Sequence, residues 1–169
     1  MSRCVSKRSK AALAVLAVVA SLGVAVGVGP ASATPYYGDF QNASSELCLA
    51  IPDDSIANGT EAIQWECGSN PDQMWKEEFF NSTQFRIRNE NSQLCLGVGG
   101  SSTAPGAHVI QWPCDGAVDQ VWELDSTGRL WNSHSRLCLA VPNASPTHGV
   151  KLIQWTCADV HTNPEQKWV

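Results

Sequence analysis

The chain has 169 residues, 43 % of them hydrophobic, with 11 Lys/Arg against 16 Asp/Glu and a formal charge of −5. That length suits one domain with a core of its own. The acidic balance argues against nucleic acid or a polyanion as partner, since such partners are held by clustered cations.

Arg3, Lys7, Arg8 and Lys10 make a basic opening, followed by an uncharged run from Ala11 to Val28 rich in Ala, Val, Leu and Gly. Gly29-Pro30 ends the run, and Ala31-Ser32-Ala33 fits a small-residue cleavage site. The pattern predicts a secretory signal peptide over 1–33, cut after Ala33, with a bacterial flavour to its Ala/Val-rich composition. A membrane anchor is the rival, because a run of this length can just span a bilayer. The Gly-broken composition and the cleavage site favour the signal, and with it a secreted, extracellular protein free of the membrane after cleavage. The remaining 34–169 carries 7 basic against 16 acidic residues, a net −9. Cys4 leaves with the signal, and six cysteines remain, an even number that in an exported chain predicts a disulfide framework.

From Phe40 onward the chain repeats itself. The first copy reads Phe40-Gln41-Asn42, Leu47-Cys48-Leu49, Ile63-Gln64-Trp65-Glu66-Cys67, then Gln73-Met74-Trp75. The second reads Ile87-Arg88-Asn89, Leu94-Cys95-Leu96, Ile110-Gln111-Trp112-Pro113-Cys114, then Gln120-Val121-Trp122. The third reads Leu130-Trp131-Asn132, Leu137-Cys138-Leu139, Ile153-Gln154-Trp155-Thr156-Cys157, then Gln166-Lys167-Trp168. The copies span about 38–78, 84–125 and 128–169, and the two cysteines of each are 19 apart. The simplest pairing is within each copy: Cys48–Cys67, Cys95–Cys114 and Cys138–Cys157. Self-similarity at this period means three structural repeats, none of which can bury its apolar face alone. Segments such as "LCLAI", "EAIQW" and "QMWKEEF" read as short strands, with "PDDSIANGT", "VGGSSTAPGA" and "PNASPTHG" as turns between them. No stretch carries a helical stripe, so the fold class read from the residues is all-β.

The triple set of Cys-Leu, Trp-x-Cys and Gln-x-Trp units, in register, resembles the ricin-type β-trefoil lectin family over residues 36–169. The resemblance implies a β-trefoil of six hairpins with three pseudo-symmetric repeats, and a carbohydrate as partner. Trp75, Trp122 and Trp168 read as core, one ring from each repeat meeting near the axis. In related lectins the aromatic two residues before the second Cys is the floor on which a sugar stacks. That role would fall to Trp65, Trp112 and Trp155, with Gln64, Gln111 and Gln154 on the opposite side of the strand. The plainer alternative is that these rings only pack beside the disulfides.

The sequence departs from the family at the polar positions. Two residues after the first Cys the family usually has Asp, which accepts hydrogen bonds from sugar hydroxyls. Ala50, Gly97 and Ala140 stand there instead. A further Gln is replaced by Ile63, Ile110 and Ile153. Three residues before each core Trp, where Asn is usual, the chain has Asp72, Asp119 and Glu165, followed by Gln73, Gln120 and Gln166. Either the acid has moved to the other wall of the same shallow pocket, or the sugar sites have decayed and the trefoil is a protein-interaction scaffold or inhibitor. On the first reading the three acids and three glutamines join the three tryptophans as candidate sugar-binding residues.

Other chemistry finds little support. His108, His134, His148 and His161 fall at unrelated positions without ligand spacing, so no metal or other cofactor is expected. Asp53-Asp54 with Ser55 and Asn58 offers oxygens for Ca²⁺, but solvated turn chemistry is the plainer reading. No G-x-S-x-G, free cysteine or defined carboxylate pair marks a catalytic centre. The sequons at Asn42, Asn58, Asn81 and Asn143 read as loop composition. The expected protein is a monomeric, non-enzymatic, lectin-like module binding glycans weakly through one shallow site per repeat.

Overall fold

The computed structural model describes residues 36–169. The expected signal peptide over 1–33 lies outside these residues.

The described chain is all β, with no α-helix and six single-turn 3-10 segments. Each repeat contributes one hairpin in which the Cys-Leu strand pairs with the Ile-Gln-Trp strand. In the first repeat β1 (Cys48–Ala50) pairs antiparallel with β2 (Ile63–Trp65), placing Cys48 opposite Trp65. β3 (Trp75–Phe79) then pairs along its whole length with β4 (Gln84–Asn89). In the second repeat β5 (Cys95–Val98) pairs with β6 (Val109–Trp112), again with Cys95 opposite Trp112. β7 (Trp122–Leu124) pairs with β8 (Leu130–Asn132). In the third, β9 (Cys138–Ala140) pairs with β10 (Ile153–Trp155), Cys138 opposite Trp155. The sixth pairing joins the two ends of the domain through Asn42 and Trp168. The Cys hairpins meet one another through single bridges, Glu61 to Ile110, His108 to Ile153 and Lys151 to Ile63, a closed ring of three. The fold is a β-trefoil.

Alternation decides which residues go inward. In β4, Phe85, Ile87 and Asn89 are buried while Gln84, Arg86 and Arg88 are half-buried, the period of two that a pleated strand imposes. Trp75, Trp122 and Trp168 fill the centre at 2, 0 and 1 % exposure. Burying an indole strands its N–H unless an acceptor is near. Each finds the carbonyl of the Leu after the first Cys of its own repeat: Leu49 at 3.0 Å, Leu96 at 2.9 Å and Leu139 at 3.1 Å. The repeated Leu-Cys-Leu and Gln-x-Trp strings are thus two halves of one contact.

The disulfides join Cys48–Cys67, Cys95–Cys114 and Cys138–Cys157. Each closes a short loop, worth about 3 kcal/mol in the chain-entropy account. The glutamine of Ile-Gln-Trp couples one repeat to the next. Gln111 Nε2 donates to Ser55 O at 2.8 Å and Ala57 O at 3.0 Å, while Ser92 Oγ donates to its Oε1 at 2.7 Å. Gln154 does the same to Ser102 O and Ala104 O, and Gln64 to Ser145 O and Thr147 O. All three glutamines are fully buried. Each pins its strand to a loop of the preceding repeat, and the last link closes the ring.

Candidate functional site

With the glutamine turned inward, the pleat turns the next residue outward. Trp65, Trp112 and Trp155 are therefore exposed, at 46, 42 and 48 %, although they follow a fully buried side chain. Each ring rests at its edge on a glycine from the preceding repeat. A Cβ at Gly149, Gly59 or Gly106 would lie 3.6, 3.7 or 3.6 Å from Trp65, Trp112 or Trp155 respectively. These glycines have φ of +76, +82 and +87°, a backbone that side chains other than Gly rarely adopt. His148 adds an edge-on contact to Trp65, ring centroids 5.3 Å apart.

Each exposed tryptophan lines a surface groove with the acid of its own repeat. Trp65 shares a groove of about 230 Å³ with Asp54, Asn70 and Asp72. Trp112 shares one of about 300 Å³ with Ser101, Asp115 and Asp119. Trp155 shares one of about 420 Å³ with Asn143, Asn163 and Glu165. The three grooves repeat around the pseudo-threefold axis, and each is bounded by two 3-10 turns. One turn follows the first Cys strand and the other carries the acid. The middle residue of the first turn has positive φ, at Asp53, Gly100 and Asn143, the residue types that tolerate it best.

In the second repeat the acid occupies the space left by the missing one. A Cβ at Gly97 would stand 2.9 Å from Asp119 Oδ2 and 3.1 Å from Gln120 Cγ. No side chain fits at 97 while Asp119 is in place, so the carboxylate reaches the same spot from the facing wall. Asp119 is 6 % exposed, and Ser101 Oγ donates to its Oδ1 at 2.6 Å while Val98 N–H donates to Oδ2 at 3.3 Å. Glu165 is half-buried and accepts from Asn163 Nδ2 at 3.3 Å. Asp72 is 8 % exposed and its Oδ1 has no hydrogen-bond partner. Burial, and then the Asp54 carboxyl facing it, push the Asp72 carboxyl above its ordinary range. The acid-bearing turns are held from behind by the Asn of the following repeat. Asn89 Nδ2 donates to Asp72 O at 2.9 Å, Asn132 to Asp119 O at 2.6 Å and Asn42 to Glu165 O at 2.9 Å.

Gln73, Gln120 and Gln166 depart from the sequence expectation of ligand contact. They are 1 % exposed and bind backbone. Gln73 donates to Glu66 O and accepts from Gly68 N–H, and Gln166 donates to Thr156 O and accepts from Ala158 N–H. Gln120 donates to Pro113 O at 2.7 Å. They hold the segment around the second Cys against the acid-bearing turn, which shapes the groove from inside. Gln73 and Gln166, engaged at both ends of the carboxamide, have little left to offer a ligand, whereas Gln120 Oε1 is buried without a partner. Asp54 and Ser101 line the grooves, and Gly59, Gly106 and Gly149 back the exposed rings, without having been singled out as sugar contacts. The glycines carried one signal, since each stands six residues before its own repeat's exposed Trp. Among the described residues, the cluster with metal-ligand proximity is Asp39 with Cys48 and Cys67, whose sulfurs are joined in a disulfide.

Comparison with curated protein sequences finds no match. Among solved structures, the chain is similar to a designed three-fold symmetric protein, ThreeFoil. The identity is 27 % and the TM-score 0.74, over 80 % of this chain and 96 % of that one. It is similar to the hemolytic lectin CEL-III at 26 % identity and TM-score 0.63, over 79 % of this chain and 29 % of that one. The fold also matches an exo-β-1,3-galactanase from Clostridium thermocellum at 24 % identity and TM-score 0.73, over 81 % of this chain and 30 % of that one. The profile of the ricin-type beta-trefoil lectin domain matches residues 36–168, and the chain belongs to that family.

Proposed function

We propose that the domain is an exported carbohydrate-binding module that holds glycans weakly at three shallow grooves and catalyses no reaction. The observation that carries the reading is the threefold recurrence of an outward-facing Trp beside an acid from the opposite wall. A sugar ring has a weakly apolar C–H face bordered by hydroxyls. A flat indole takes the face and a carboxylate accepts from hydroxyls, and charged acceptors make the stronger bonds. The family supports the same reading. So do neighbours of the same fold solved with sugars, an earthworm R-type lectin half with GalNAc and a Polyporus squamosus lectin with a sialylated epitope.

Shallow open grooves imply dissociation constants of about millimolar to high micromolar each. Three on one rigid body gain by avidity on a polymer or cell surface. Neutral polysaccharides and cell-surface glycans are the class of ligand, and a monomer suffices. Three disulfides fit an oxidising, extracellular setting.

The test is affinity electrophoresis and pull-down of the exported, oxidised protein against a panel of soluble and insoluble polysaccharides. The triple change Trp65→Ala, Trp112→Ala and Trp155→Ala runs beside it. Retardation by a glycan that disappears in the folded triple variant supports the reading. Absence of retardation across the panel overturns it and leaves the trefoil as a protein-interaction scaffold.

A further inference from the structure

The three grooves share a floor and an acid, but differ in what faces the acid. The residue six after the first Cys is Asp54, Ser101 or Ala144. In the second repeat, Ser101 supplies a hydroxyl donor to Asp119. In the third, Ala144 supplies nothing and Glu165 takes its hydrogen bond from Asn163. In the first, the Asp54 carboxyl stands where the second has a donor, and it lines the same groove as Asp72. Two ionised carboxylates only accept. Asp72 is nine-tenths buried and its Oδ1 is unpartnered, and among the described residues no Lys, Arg or His forms an ion pair with either acid. The two acids therefore have no cationic partner, and a cationic ligand would supply one.

An ammonium group supplies that charge, with three donors and no acceptor. Beside the acids lies the exposed Trp65 ring, which a bare metal ion would not need and a sugar ring would use. An indole face also favours a neighbouring cation. We propose that the first-repeat groove is a subsite for an amino sugar with a free ammonium. The ammonium sits between Asp54 and Asp72 and the sugar ring lies on Trp65. The inference rests on the reading of the grooves as sugar sites, and names the class of sugar that one of them prefers. The acidic surface of the domain favours the same polycationic glycan, a glucosamine polymer rather than its N-acetylated form.

The probes are a glucosamine tetrasaccharide with free amines and its fully N-acetylated counterpart, titrated calorimetrically at mildly acidic pH and low salt against the exported full chain. The expected result is about a tenfold preference for the free-amine form, falling as salt is added. Asp54→Ser, which copies the second repeat, should abolish the preference for the free-amine form. The reverse change Ser101→Asp should strengthen binding of the free-amine form by building a second acid pair. Equal binding of the two probes, or a preference that survives Asp54→Ser, overturns the inference. So does a rise in melting temperature with calcium chloride that Asp54→Ser removes, which would assign the pair to a metal. Binding of neutral glycans without an amine preference refutes this inference alone. Failure of every glycan to bind refutes the broader sugar reading as well.

Discussion

Restoring the family's usual acid tests whether the chain has truly exchanged one wall of the groove for the other. The change is Gly97→Asp. Its Cβ would arrive 2.9 Å from Asp119 Oδ2, closer than real Cβ contacts come, and 3.1 Å from Gln120 Cγ. Asp119 must then leave its place, losing the bonds from Ser101 Oγ at 2.6 Å and Val98 N–H at 3.3 Å. Bonds to a charged group are worth about 1.5–3 kcal/mol each when well aligned, and the second of these is long. A new carboxylate beside a displaced one adds repulsion. The sum is a loss of about 3 kcal/mol, or roughly 10 °C in melting temperature for a domain of this size. Gly97→Ala brings the clash without the charge and should cost less, about 1–3 kcal/mol. Removing the occupant should rescue the variant, so Gly97→Asp with Asp119→Gly should recover about 2 kcal/mol relative to the sum of the single changes. Urea unfolding with the disulfides intact measures all four corners of the cycle. If Gly97→Asp is as stable as the parent, or the two changes add without coupling, the two acids do not compete for one space and the exchange argument fails.

Three further outcomes follow from the same structure. Gln111→Leu should cost about 2–4 kcal/mol in urea unfolding, because the Ser55 and Ala57 carbonyls and the Ser92 hydroxyl lose a buried partner at once; a loss below about 1 kcal/mol would show that the repeats are not coupled through this side chain. Burial alone would raise the Asp125 carboxyl, but donors from Thr127 and Arg129 hold it down at about 2, against an ordinary 3.8. Its contribution is present above pH 3.8 and is lost as the pH falls towards 2, at most about 2 kcal/mol. Asp125→Asn should flatten the acid limb of the stability curve measured by thermal melts, and an unchanged limb would contradict the assignment. Asp72 has the opposite sign. Its carboxyl is raised by burial and by Asp54, so folding favours its protonated form and this groove loses stability as the pH rises from the ordinary value through the raised one. Asp54→Ser should accordingly raise the melting temperature at neutral pH and bring little gain in acid, and a uniform shift at both would exclude the carboxyl pair as the cause.

Much of this was legible in the chain itself. The 19-residue cysteine spacing, repeated in register, gave the disulfides, and Gln-x-Trp gave the three core rings. The Ile-Gln-Trp alternation placed Gln64, Gln111 and Gln154 on one side and the exposed tryptophans on the other, because a pleat turns every second side chain the same way. These are local relations, set by sequence separation and backbone geometry. What lay beyond reach were the contacts between repeats. The glycines at 59, 106 and 149 recur at a readable interval, yet each backs the exposed Trp of the following repeat rather than its own. Gln73, Gln120 and Gln166 sit next to the groove acids in sequence, yet the 3-10 turn rotates them inward onto backbone that Asp72, Asp119 and Glu165 do not share. The fit of Asp119 into the void at Gly97, and the meeting of Asp54 with Asp72, join residues about twenty positions apart. The chain by itself determined the repeat, its cross-links and its core. Tertiary closure decided which polar groups were left facing the grooves, because only the packing of two turns and a neighbouring repeat determines which side chains find partners and which are left without.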